Sequence, residues 1–340
     1  MTKILVTGGC GYIGSHTVVD LLNNGFEVVS IDSNIRSHSS VMDRIEQITG
    51  KKVINYSIDL CDKEKVDSFF EIEKDISGII HFAALKSVPE SVENPLLYYH
   101  NNIASLLNIL EAAKANNITN FVFSSSCSVY GNTSLLPVTE ETPFQKAECA
   151  YAHTKQIGEE IIQSFSKNEK GYFILLRYFN PVGAHETALI GEDILGTPTN
   201  IIPRITGTAF GKYAEMKVWG GDYPTRDGTC VRDYIHVMDI ANAHTKAMQY
   251  LLEGRNKNAC EVFNLGTGNG VTVLETIHSF EKVSGVKLNY SIGPRRDGDV
   301  VEIYADNTKA KKVLGWEITR DLDNMMLTAW KWQQQSIKSN

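Results

Sequence analysis

The chain has 340 residues, 42% of them hydrophobic and 21% charged, with a net charge of −7 at neutral pH. That length suits one large α/β domain with a smaller one appended, and the composition carries no sign of disorder. The acidic balance argues against nucleic acid and anionic membranes as partners, since neither meets a basic footprint.

No apolar run approaches a membrane span, and Met1-Thr2-Lys3 leads straight into Ile4-Leu5-Val6 without a signal-type apolar region. The cytoplasm is the expected location. Six cysteines show no CxxC and no repeating spacing, so they are expected to be reduced thiols, with no metal site and no disulfide framework.

The first predicted strand, Lys3 to Thr7, runs into Gly8-Gly9-Cys10-Gly11-Tyr12-Ile13-Gly14, which fits GxGxxG from Gly9 and GxxGxxG from Gly8. A helix is expected from about Tyr12. Glycines at a strand-to-helix turn let the backbone approach a pyrophosphate at the helix N-terminus. The second strand, Glu27 to Ile31, delivers Asp32. A carboxylate there accepts ribose hydroxyls and repels a 2′-phosphate, which favours NAD over NADP. Arg36 pulls the other way, because a nearby arginine can accommodate that phosphate. Asp32 by itself is also a common turn or cap residue.

Further strands are predicted at Lys52 to Tyr56, Gly78 to Phe82, Asn120 to Ser124 and Phe173 to Arg177, with helical periodicity between them, as at Leu106, Ile109, Leu110 and Ala113. Strand and helix alternating in this way predict an α/β fold, a doubly wound parallel (Rossmann) sheet with right-handed crossovers. Asp59 after the third strand and Phe82-Ala83-Ala84 at the end of the fourth then fall on the carboxyl edge of the sheet, where nucleotides bind.

The fifth strand runs into Ser125 and Ser126, and the next predicted helix carries Tyr151 and Lys155. Four residues apart on a helix, the two share one face, so the ammonium can favour the phenolate. A free phenol titrates near pH 10, too high for an efficient base at neutral pH without such help. Spacing alone is weak, because Tyr213 and Lys217 repeat it with nothing comparable around them. Ser126 alone reads equally as a strand-end turn residue. Beside Tyr151 and Lys155 it reads as a hydroxyl that shuttles the proton of a reacting oxygen.

Beyond Asn180 the pattern loosens into Gly-, Pro- and Asp-containing loops. Ile235 to Tyr250 and Leu322 to Gln333 look helical, and Trp330 and Trp332 look like packing residues. Residues 1–180, with a returning segment at about 235–265, are expected to bind the dinucleotide. Residues 181–234 and 266–340 form the expected smaller α/β substrate domain.

Taken together, the fingerprint, Asp32, the Ser126/Tyr151/Lys155 set and the two-part organisation resemble the extended short-chain dehydrogenase/reductase family. Within it, the runs Gly8 to His16, Arg177 to His185, Asp222 to Thr225, Arg232 to Val237 and Arg295 to Asp299 look like the UDP-glucose 4-epimerases. The resemblance runs over nearly the whole chain.

It implies an isomerase of galactose metabolism that interconverts UDP-glucose and UDP-galactose on tightly held NAD. The tyrosine takes the proton of the sugar 4-hydroxyl while hydride leaves carbon 4, the 4-keto sugar turns over on its UDP tether, and hydride returns to the other face. The implied cofactor contacts are Gly8, Gly11, Tyr12, Ile13, Gly14, Asp32, Asn34, Asp59, Leu60, Phe82, Ala83, Lys86, Asn101 and Phe179, with Ser126, Tyr151 and Lys155 shared. Implied substrate contacts are Asn180, Asn200, Ile201, Lys217, Val218, Trp219, Arg232, Arg296 and Asp299, with Lys86 bridging the two sets. Guanidinium groups suit a diphosphate on chemical grounds as well. The family also implies a homodimer through helices near 95–115 and 150–168.

The chain departs from the family at Cys127-Ser128, usually a small residue or threonine, and at Ala150, often proline. Ile303 stands where residue size gates N-acetylated sugars, which keeps UDP-GlcNAc/GalNAc epimerisation open as an alternative. A 4,6-dehydratase places an Asp-Glu pair at the positions of Cys127 and Ser128, and decarboxylase relatives usually place a glutamate at Ser128. Both are absent. A non-catalytic dinucleotide sensor, the remaining alternative, has no need of Ser126, Tyr151 and Lys155 together.

Overall fold

Along the first strand, β1 (Lys3–Thr7), side chains alternate between two cores: Ile4 and Val6 pack on one face and Leu5 on the other. The structure is a computed structural model that describes residues 2–193, 198, 200–296 and 299–336. After β1 come α1 (Tyr12–Asn23), β2 (Glu27–Ile31), α2 (Val41–Thr49), β3 (Ile54–Tyr56), α3 (Lys63–Ile72), β4 (Ile76–His81), α4 (Val88–Glu93) and α5 (Pro95–Ala115). Then follow β5 (Asn120–Ser126), a 3₁₀ turn at Cys127–Tyr130, α6 (Ala150–Asn168) and β6 (Tyr172–Tyr178).

The second half comprises β7 (Asn180–Val182), α7 (Ile201–Ala209), β8 (Met216–Trp219), β9 (Val231–Arg232), β10 (Tyr234–His236), α8 (Val237–Leu252) and β11 (Cys260–Leu265). It ends with β12 (Val271–Thr272), α9 (Val273–Ser284), β13 (Tyr290–Gly293), β14 (Glu302–Ile303) and α10 (Leu322–Ser336).

Seven parallel strands form the main sheet in the order β11-β6-β5-β4-β1-β2-β3. This is the doubly wound α/β fold that the alternation of elements predicts. The order reverses between β1 and β4, which opens a crevice outside their carboxyl ends. One face packs Ile80, Val122 and Ile174 under α1, α2 and α8; the other packs Ile79, Phe121 and Leu175 under α3, α5 and α6. Each such side chain contributes roughly 1.5–3 kcal/mol by leaving water.

Besides end shifts of one or two residues in β3, β4 and β6, three further elements differ from their sequence expectation. β5 continues through Ser125 and Ser126, because its backbone pairs with β6 as far as Ser126 and Tyr178. The helix expected from Ile235 begins at Val237, and Tyr234–His236 is a strand that pairs with β7. β11 adds a seventh strand beside β6, with Phe263 opposite Leu176.

A third core gathers Ile202, Val218, Phe280 and Trp330 from α7, β8, α9 and α10. Trp330 stands edge-on to Phe280 at 5.6 Å between ring centroids. Asp233, fully buried between β9 and β10, accepts from the Thr267, Gly268 and Ala305 amides and the Thr267 hydroxyl, which ties down the Gly266-to-Gly270 loop. All six cysteines are free thiols. Among the described residues no helix is long and apolar enough to cross a membrane.

Candidate active site

A cavity of about 760 Å³ opens at the carboxyl edge of the sheet, where β1 and β4 diverge. Its size suits a cofactor or drug-sized ligand. The glycine loop forms one wall. Gly8 has φ of +73°, and a Cβ on it would lie 2.9 Å from the Ala83 amide nitrogen. A Cβ on Gly14 would run into the Gly8 carbonyl oxygen. Glycine is required at both positions for the turn to close. α1 then follows Gly11 at its cap position, with no side-chain cap and no acidic residue in its first turn, so its amides and dipole are available to an anion.

Asp32 stands at the end of β2. Its carboxylate accepts from the amides of Cys10 (3.0 Å) and Asn34 (2.9 Å) and from the Ser37 hydroxyl (2.8 Å), which fixes it on the cavity wall. Arg36 also lines the cavity, but its guanidinium is engaged by Glu90 at 2.5 Å. Ile13, Asp59, Leu60, Phe82, Ala83, Lys86 and Asn101 also line the cavity. Tyr12 also lines it, and its hydroxyl donates to the Gly183 carbonyl at 2.5 Å. Asn34 is not part of that lining; its amide donates to Asp32 and its side chain donates to the Ser37 hydroxyl. Phe179 departs from expectation: it packs with Val129, Tyr130, Val138 and Ile303, away from the cavity lining.

Tyr151 and Lys155 occupy the first turns of α6, and both line the cavity. The Lys155 ammonium donates to the Ser124 carbonyl at 2.8 Å and lies 4.8 Å from the Phe123 ring centre. Ser126 sits at the end of β5, 7% exposed, where its Oγ accepts from the Ser128 amide at 3.2 Å. Its own hydrogen is therefore left for another acceptor. The second Tyr–Lys pair never forms a face: Tyr213 follows α7 in a loop and stacks under Arg204, whereas Lys217 is on β8.

Burial pushes the Tyr151 phenol well above its ordinary range, Tyr178 nearby adds to this, and hydrogen bonding with Ser126 works against it. Burial brings Lys155 down to about 8, with Glu159 pulling it back up. His81, beneath them, falls to about 3 through burial and the Lys155 charge. Burial lifts the Cys127 thiol to about 12, so it stays neutral. The phenol thus needs positive charge beside it before it can serve as a base at neutral pH.

The expected substrate residues fall in four places. Arg232 and Arg296 converge on Asp299: Arg296 makes two bonds to its carboxylate, at 3.0 and 3.2 Å, and Arg232 lies 3.8 Å from it. Asp297 and Gly298 of the same motif lie outside the described residues. On β8, Lys217 and Trp219 are exposed around the buried Val218, with the Lys217 ammonium 5.7 Å from the Trp219 ring centre. Asn200 and Ile201 begin α7, and Asn200 alone of the substrate set lines the cavity, apart from the shared Lys86 and Tyr151. Asn180 starts β7 with its Oδ1 buried and without a hydrogen-bond partner. Ile303 is 7% exposed and pairs in register with Arg232.

Among the cavity residues that sequence reasoning missed, two carry polar contacts to expected site residues or their neighbours. Tyr178 accepts from Ser124 Oγ at 3.1 Å and faces Tyr151; its signal was the period-2 alternation of β6. Glu192 binds Lys86 at 3.0 Å and Asn200 at 3.4 Å, so one carboxylate joins a residue of each expected ligand set. No local pattern marks it.

A family model described as GDP-mannose 4,6 dehydratase matches residues 5–328. The UDP-glucose 4-epimerase of Drosophila melanogaster is 46% identical over 344 residues, covering 98% of this chain and 97% of the fly protein. The chain belongs to the UDP-glucose 4-epimerase family. The family's solved structures match the fold throughout. That of Stenotrophomonas maltophila, with bound NAD and formylated UDP-arabinopyranose, has a TM-score of 0.96 at 42% identity, with 100% of both chains covered. That of Bifidobacterium longum, in complex with NAD+ and UDP, has a TM-score of 0.93 at 43% identity, again with 100% of both chains covered. The dehydratase in the family model's description shares this scaffold. The present chain has no carboxylate at Cys127 or Ser128 with which to eliminate water, in keeping with the epimerase family.

Proposed function

We propose that this chain interconverts UDP-glucose and UDP-galactose by inverting carbon 4 of the sugar, with NAD held in the large cavity. The observation that carries this reading is Tyr151 and Lys155 on the cavity wall with Ser126 beside them and no carboxylate in the adjoining turn.

The residues present fit NAD. The Gly8/Gly14 cradle leaves room for backbone approach to a pyrophosphate, Asp32 offers a carboxylate to a ribose, and Arg36 is held by Glu90. When bound, NAD supplies a hydride acceptor for carbon 4 and a further positive charge beside the phenol. Tyr151 takes the 4-hydroxyl proton at its phenolate oxygen and later returns it. Lys155, an ammonium in a buried setting, favours that phenolate. Ser126 donates its hydrogen to the reacting oxygen, since its Oγ already accepts from Ser128.

Arg232 and Arg296, preassembled on Asp299, hold the diphosphate, and the buried, unpartnered Oδ1 of Asn180 is an acceptor for the sugar nucleotide. Binding held at the diphosphate lets the 4-keto intermediate turn and present its second face. Residues 1–180 with 235–265 serve the cofactor in this scheme, and 181–234 with 266–340 serve the UDP-sugar.

The same reading makes the protein a cytoplasmic homodimer. On α5, Leu96, Leu97 and Leu107 are 80%, 45% and 41% exposed, an apolar surface that a partner's α5 and α6 would cover. Sedimentation tests this: a 37.8 kDa species would contradict it. For the activity itself, purified protein is expected to convert UDP-galactose to UDP-glucose without added NAD. No conversion by protein shown to carry its cofactor would contradict the reading.

A further inference from the structure

We propose that Glu159 is a positioning residue for the reaction: it locks the Tyr151–Lys155 helix to the Ser124–Ser126 strand end and is the counter-charge facing Lys155. The inference rests on the reading of Tyr151, Lys155 and Ser126 given above.

Glu159 lies one turn beyond Lys155 and two beyond Tyr151, on the same face of α6. It is completely buried. Ser125 Oγ donates to its Oε1 at 2.5 Å, Arg177 Nε donates to both oxygens at 2.9 and 3.2 Å, and Arg177 Nη2 donates to Oε2 at 2.6 Å. Ser125 and Arg177 are direct register partners on β5 and β6. One carboxylate therefore fastens α6 to two neighbouring strands at the level of the site. On either side of Ser125 lie Ser124, whose carbonyl accepts from Lys155, and Ser126. A shift of α6 against β5 would move Tyr151 and Lys155 together relative to Ser126 and the Ser124 carbonyl.

Stability alone is a poor reason for this pair, because desolvation offsets most of the attraction between buried charges. The surroundings of Lys155 point to a charge role. α6 presents Tyr151 and Glu159; β4 presents His81, kept neutral by burial; β6 presents Tyr178 and Arg177; the 3₁₀ turn presents the neutral Cys127 and Tyr130. Glu159 is the carboxylate acting on Lys155, while Arg177 sends Nη1 away to the Tyr130 hydroxyl and the Glu140 carbonyl. Lys155 and Arg177 against Glu159 leave one net positive charge at the strand end, which a phenolate at Tyr151 would neutralise.

The test uses the purified holoenzyme, with UDP-galactose turnover followed against pH and bound NAD counted for each variant. Glu159→Gln is expected to lower kcat on the order of 10- to 100-fold with little change in KM, as for a misplaced reacting group. The alkaline fall in kcat should also move to lower pH, because Lys155 loses the carboxylate that favours its ammonium. Glu159→Asp should return that limb toward wild type while kcat stays reduced. Since Glu159→Gln leaves Arg177 orphaned, the paired Glu159→Gln/Arg177→Met variant gives a folded background, and its alkaline limb should move the same way. Ser125→Ala should lower kcat with the limb in place. A wild-type alkaline limb in either Gln variant overturns the proposal, as does an unaffected kcat. If wild-type protein carrying NAD fails to turn over UDP-galactose, the epimerase reading has failed, independently of Glu159.

Discussion

The Lys155 ammonium donates to the Ser124 carbonyl at 2.8 Å, a bond that crosses from the helix carrying Tyr151 to the strand carrying Ser126. The strand end thereby sets where the charge sits beneath the phenol. The arrangement works against stability, because burial lowers Lys155 to about 8.

Replacing the lysine separates these two effects. A folded-state value depressed from 10.5 makes the ammonium a burden below pH 8, relieved as pH rises through 8 to 10.5. The burden at pH 7 is on the order of 3 kcal/mol, partly returned by the Ser124 bond. Lys155→Met is therefore expected to lose at least about 10²-fold in kcat with a Tm at or above wild type. A lower Tm with surviving turnover would contradict the assigned role.

Tyr151→Phe keeps the ring and removes the oxygen. It should bind UDP-sugar and NAD as before and lose on the order of 10²- to 10⁴-fold in kcat. Equilibrium binding and turnover on the same preparation check this, and near-wild-type turnover would mean another base.

Cofactor choice can be tested at the Asp32 end. Asp32→Ala releases the Cys10 and Asn34 amides and is expected to weaken NAD retention about tenfold or more. Adding Glu90→Ala frees Arg36 for a 2′-phosphate, so the double variant should gain NADP relative to NAD. Fluorescence titration with both dinucleotides reads the ratio. A ratio unchanged from wild type would remove Asp32 and Arg36 from the argument.

How much of this could be read from the chain differs from place to place. The Tyr151–Lys155 face was legible because i,i+4 spacing is local. Ser125 and Ser126 fall beyond the predicted end of the fifth strand because serine has no local preference for strand; pairing with Arg177 and Tyr178 makes them strand. The Glu159–Arg177 pair was illegible, since its members meet only once α6 lies across β6. Glu192 reaches Lys86 over more than a hundred residues, and Asp233 finds its amides in two distant loops. Phe179 was placed by resemblance, and its packing with Val129 and Ile303 follows from how β6 leaves the sheet.

Acid should destabilise the fold through its buried histidines. Burial lowers His16 and His81 to about 3, His236 to about 2 and His244 to about 4. Between these values and the ordinary 6.5, the unfolded chain binds protons that the native state does not, so stability falls as pH falls. Each histidine contributes up to about 1.4 kcal/mol per pH unit in that window. Guanidinium melts at pH 7 and pH 5 should show a lower midpoint at pH 5 with the same slope. Equal midpoints would mean these rings are protonated in the native state.

The most direct test of the central claim follows the hydrogen on carbon 4. UDP-galactose carrying deuterium at that carbon, incubated with the purified protein and no added NAD, is expected to give UDP-glucose with the deuterium still on carbon 4. Loss of the label to solvent, or a 4-keto-6-deoxy sugar as product, would contradict oxidation and return at a single carbon.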